Sequence, residues 1–120
     1  MINISETGDY CLLAGTKEEI TRYKSEKFSD VTIVAAKDGQ TKAFAWPKDS
    51  PDVPWPADLS LDDGATYLVS QTGKDTRTML IMHRMGGDFS TDIHLALAMG
   101  AQGCIEQAKM MLALVRRSAR

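Results

Sequence analysis

His83, Asp88 and His94 are the side chains of this 120-residue chain whose types and spacing could serve a small ligand. They bracket Gly86-Gly87 and the start of the last helical stretch. A small-molecule site or an enzyme centre, if present, would draw on these three. Metal chemistry is a poorer fit, because the two histidines stand eleven apart and no cysteine pair has the three- or four-residue spacing of a structural zinc site. No metal or other cofactor is expected. Gly86-Gly87-Asp88 precedes a helix start, where bare amides can hold an anion. Asp88 and Asp92 already crowd that end with negative charge, and the lysine and hydroxyl of a phosphate-loop motif are absent.

Cys11 and Cys104 each lie inside an apolar segment. The reading is two buried, reduced thiols; pairing in an oxidising compartment is the alternative. Neither position offers the exposure and nearby cation that a nucleophilic thiol needs. Asp58, Asp62 and Asp63 lead into Gly64 and read as turn formers rather than paired catalytic acids or a calcium loop. Pro47 to Pro56 holds four prolines and ends on the second of two Trp-Pro dipeptides, Trp46-Pro47 and Trp55-Pro56. Such a segment could serve as a recognition loop through Trp46 and Trp55. The plainer reading is that both indoles close the open edge of a small core.

The element that must position these groups is the stretch from Asp92 to Arg117. Ile93, Leu97, Ala101, Cys104, Ala108, Met111, Leu112 and Val115 recur at three- and four-residue steps, the period of one long helix. Leu95, Met99 and Leu114 lie off that stripe, so the apolar surface is broad. Ala96, Gly100, Gly103 and Gln107 form a row of mostly small residues, and a glycine inside a helix costs about 1 kcal/mol against alanine. Close approach of another backbone would offset that cost. The row therefore marks an expected homodimer interface, with Met111 beside it, while a break of the helix at Gly100 stays open. Seven methionines, most in the second half, suit adaptable packing.

Upstream, Val31–Ala35 and Thr41–Trp46 read as a hairpin turned by Asp38-Gly39. Ala65–Ser70 and Thr78–His83 read as a second. The second strand is apolar on both faces, which asks for a central place in a sheet or cover from the helix. Met1–Ser5 and Tyr10–Ala14 suggest an N-terminal hairpin. Thr16 and Glu19 have the spacing of a capping box, which predicts a short helix over Lys17–Lys27, with a strand as the rival. The expected fold is α+β: a mainly antiparallel sheet of hairpins packed on one long C-terminal helix.

Composition bounds the rest. The net charge is −2, and the charged share is 25%. Basic residues are scattered among acids, so no nucleic-acid footprint is expected. Polar residues interrupt the last helix too often for a membrane span. Met1–Asp9 has neither the basic start nor the apolar run of an export signal. The default location is cytoplasmic, and extracytoplasmic if the chain belongs to a longer exported protein. Residues 1–120 read as one domain, whole or a module of something larger. The expected role is a non-catalytic structural or protein-interaction module, homodimeric or bound to another protein.

Overall fold

The computed structural model describes residues 1–13, 17–27, 30–86 and 92–118. They form β1 (Ile2–Asn3), β2 (Gly8–Leu13), β3 (Glu19–Thr21), β4 (Asp30–Ala35), β5 (Thr41–Ala45), β6 (Asp52–Pro54), β7 (Thr66–Gln71), β8 (Thr78–Met85), α1 (Asp92–Ala101) and α2 (Ile105–Ser118). The class is α+β. The molecule is elongated, 44 × 31 × 23 Å along its principal axes.

Both hairpins read from the sequence are present. Gly39 takes φ 75° at the tip of the first, a conformation that favours glycine. Its amide donates to Ala35 O at 2.8 Å. β4 pairs antiparallel with β5, placing Val31 opposite Phe44, and β7 with β8, placing Thr66 opposite Ile81. β4 also pairs antiparallel with β7, which fuses the two hairpins. β2 then adds parallel to β8, so the five-stranded order is β2-β8-β7-β4-β5. β8 is central, as its two apolar faces require.

Three sequence expectations are corrected. The sheets are mixed, not mainly antiparallel, because β2 runs parallel to β8 and β1 parallel to β3. The N-terminal segments do not pair with each other. β1 joins a second, three-stranded sheet of order β1-β3-β6. Among residues 17–27 there is no helix; Glu19–Thr21 is a strand. Its reason is Ile20, which is fully buried and pairs with Ile2 on one side and Val53 on the other. That long-range burial outweighs the local capping signal. Thr16, the proposed cap, lies outside the described residues. The proline-rich segment contributes the edge strand β6, with Pro54 at its end, where a missing N–H costs no ladder bond.

One core joins the two sheets. Ile2, Ile4, Ile20 and Val53 from the small sheet meet Leu12, Val31, Ile33, Tyr67, Val69, Leu80 and Met82 from the large one. Strand alternation decides who faces it. On β2 and β8, Leu12, Leu80 and Met82 point into this core. Asp9, Cys11, Leu13, Ile81, His83 and Met85 lie on the opposite face.

That opposite face carries the helices, and they are two, not one. α1 ends in a Schellman turn. The Gly103 amide donates to Gly100 O at 3.0 Å, and the Cys104 amide to Met99 O at 2.9 Å. Gly103 takes φ 91° there. The break falls three residues beyond Gly100, and α2 folds back against α1. A second, smaller cluster of Cys11, Met85, Met99, Cys104 and Ala108 seats the helical hairpin on the sheet, with Leu13, Leu95, Ala98 and Met111 around it.

The cysteine expectation is also overturned. Cys11 on β2 and Cys104 at the helical turn form a disulfide, with Cα atoms 6.0 Å apart across 93 residues of sequence. Each does sit in an apolar setting, as read. What sequence could not show is that the Schellman turn lands directly over β2.

A candidate assembly surface on the helical hairpin

The hairpin is fixed to the sheet at its vertex. Beside the disulfide, Gln107 on α2 reaches the outer edge of β2. Its Oε1 accepts from the Cys11 amide at 2.6 Å, and its Nε2 donates to Cys11 O at 3.0 Å. A side-chain amide thus supplies both halves of the pairing that a neighbouring strand would give. Gly103 lies against Asp9: a Cβ built at Gly103 would come within 3.1 Å of the Asp9 carboxyl carbon and oxygen. Asp9 in turn holds His83, Oδ1 to Nε2 at 2.7 Å.

These contacts settle where the residues singled out by spacing lie. Ala96 is buried. Gly100 faces Ala108 across the hairpin, at an ordinary Cβ distance of 3.9 Å. Gly103, Gln107 and Met111 are engaged with Asp9, Cys11 and the smaller cluster. The row of small residues lets α1 and α2 approach each other and the sheet within one chain.

The apolar surface left over is different. Ile93, Leu97, Ile105, Met110, Leu112 and Leu114 are exposed, and they are six of the nine large apolar side chains in that state among the described residues. Met110 is 70% exposed, Leu97 63% and Leu114 60%. Ile93 and Leu97 are one turn apart on α1. On α2, Glu106, Met110, Ala113, Leu114 and Arg117 fall at i, i+4, i+7, i+8 and i+11, and all five are exposed. Glu106, at the start of this face, pairs with Lys109 of the same helix at 3.5 Å, and the face then runs through an apolar centre to Arg117. The spacing reading did not separate it, since a stripe drawn through one continuous helix mixes the covered Cys104 and Ala108 with the exposed Ile93, Leu97 and Leu112.

Two of the three residues read as a ligand site, His83 and His94, lie among the described residues. His83 is half-buried and engaged with Asp9. His94 is exposed on the first turn of α1. Asp88 lies outside the described residues. Among the described residues no three His, Cys, Asp or Glu side chains group as a metal site would. No described helix is long and apolar enough to cross a membrane.

Both tryptophans are buried, and each indole N–H donates to the carbonyl four residues on. Trp46 reaches Ser50 at 2.7 Å and Trp55 reaches Leu59 at 2.6 Å. Trp55 also meets the Tyr67 ring edge-on, with centroids 5.2 Å apart. Trp46 borders an open cleft of about 760 Å³ between residues 21–27 and 46–51. Its ring is already covered by the Arg22 guanidinium, 4.4 Å from the centroid. Arg22 also donates to Gln71, whose amide donates to Glu26. Burial works to raise the Glu26 pKa, but hydrogen bonds from Lys74, Ser5 and Gln71 win and hold it below the usual value. This network ties the turn after β3 to β7. No periodicity in the sequence could have pointed to it.

No family model, curated protein or solved structure matches the chain. Geometry and chemistry therefore carry the functional argument.

Proposed function

We propose that the chain is a structural assembly module that pairs with a second copy of itself through the outer face of α2. The observation that carries this is the order of that face: Glu106, then Met110, Ala113 and Leu114, then Arg117, all exposed. A two-fold axis through the middle of the face pairs two antiparallel helices and sets each Glu106 against the other copy's Arg117. The same operation sets Met110 of each copy near Ala113 and Leu114 of the other. Each charge lies about 16 Å from the other along its own helix, so the two ion pairs bracket the apolar centre. A foreign partner would need a matching base–apolar–acid order; a second copy has it by symmetry.

The role is structural rather than catalytic on this reading. Charge reversal tests it. Glu106→Arg should weaken the dimer about tenfold by facing arginine with arginine twice, and adding Arg117→Glu should restore it. A double variant no tighter than the single one removes the antiparallel arrangement.

A further inference from the structure

We infer that the Cys11–Cys104 bond is a redox latch that seats the helical hairpin on the sheet, and this inference rests on the assembly reading only for its consequence. The hairpin's own seat is small. Among the described residues its cluster has five buried members against fourteen in the main core, and two of the five are the cysteines themselves. Several of its large apolar residues face away from the protein. The covalent link stands at the vertex of the hairpin, next to Gly103, so it fixes the point from which both helices project. Gln107 is one turn of α2 further on, and its two bonds to Cys11 depend on the same seating.

Opening the latch takes two electrons from a dithiol. One thiolate of the reagent attacks a sulfur of the Cys11–Cys104 bond, that bond breaks, and the other cysteine leaves as a thiolate that takes up a proton. The second reagent thiolate then displaces the attacked cysteine from the mixed disulfide. The products are two protein thiols and a cyclic disulfide. Both cysteines are nearly fully buried, Cys11 at 3% and Cys104 at 1% exposure. Attack therefore waits on a local opening of the hairpin. Once released, the hairpin no longer holds α2 in a fixed relation to the sheet, and Gln107 leaves the edge of β2. An oxidising compartment keeps the module closed; a thiol-rich one releases it.

Hydrogen exchange by residue decides the matter, on the oxidised protein, on protein reduced with dithiothreitol, and on Cys11→Ser/Cys104→Ser. Sedimentation accompanies each state. The latch predicts that amides of α1, α2 and Cys11 lose about tenfold or more of their protection in the reduced and serine forms, while those of β4 and β7 keep theirs. The dimer should dissociate in parallel. Unchanged helix protection after reduction overturns the latch. Loss of protection in β4 and β7 as well overturns it too, since the bond would then hold the whole fold. Release of the hairpin from a protein that is monomeric in every state upholds the latch and removes the assembly reading.

Discussion

Gln107 pairs with Cys11 as a strand would, giving and taking one hydrogen bond at 3.0 and 2.6 Å. Among the described residues β2 is an edge strand, and at this point no other strand lies on that side of it. The side chain therefore satisfies two backbone groups of a buried residue and blocks the edge against pairing with another chain.

Gln107→Ala should cost about 1–3 kcal/mol, because the Cys11 amide and carbonyl lose their partners within a poorly hydrated site. Gln107→Glu should cost at least as much: one carboxylate oxygen still accepts from the amide, but the other sets a negative charge against the Cys11 carbonyl and cannot donate to it. Urea unfolding ranks the three proteins. Exchange at the Cys11 amide should accelerate in the alanine variant. Equal stability of the alanine variant and wild type would contradict the role given to this pair.

Two glycines three residues apart should respond with opposite signs. Gly103→Ala forces a side chain into φ 91° and against Asp9, and should destabilise by about 1–2 kcal/mol. Gly100→Ala places its Cβ at an ordinary distance from Ala108, inside a helix, and should gain up to about 1 kcal/mol. Thermal unfolding of both variants checks the pair.

The hairpins were legible because their signals are local. Asp38-Gly39 and the alternation around it specify a turn and two faces whatever the rest of the chain does. The break in the last helix was only half legible. Gly100 and Gly103 both stood out, and which one ends α1 depends on the carbonyls of Met99 and Gly100 finding amides beyond the turn. Ile20 misled for the opposite reason: its strand exists through Ile2 and Val53, far away in sequence. The disulfide was the least legible feature, since it depends on β2 choosing β8 as its parallel neighbour and on the helical turn lying above that pair.

Tyr10 predicts an alkaline weakness. Its single hydroxyl proton is shared between Asn3 O at 2.8 Å and Glu6 O at 3.0 Å. Burial, and then the Glu6 charge, push its pKa up to about 12. A raised pKa means that the folded state binds the proton more tightly than the unfolded chain. The stabilisation is complete below about pH 10 and is lost as pH rises toward 12. Unfolding monitored across that window should show falling stability, and Tyr10→Phe should flatten much of the slope.

Glu26 predicts the acid limb. Its carboxylate accepts from Ser5 and Gln71 at 2.7 Å and pairs with Lys74. A folded-state pKa below the unfolded value gives stability that is present above about pH 4.5 and lost as pH falls through the folded value. Glu26→Gln should cost about 2 kcal/mol at neutral pH through the weakened bonds to a neutral amide. It should also reduce the loss of stability on acidification. A variant with the wild-type acid profile would contradict the network.

Sedimentation equilibrium of the oxidised protein across micromolar concentration, with Met110→Glu/Leu114→Glu alongside, tests self-association most directly. The substituted positions are exposed, so the variant should keep the wild-type fold by circular dichroism. The account predicts a wild-type monomer–dimer equilibrium and a variant that is folded and monomeric throughout. A wild type that is monomeric at every concentration, or a folded variant that dimerises as tightly as wild type, contradicts it.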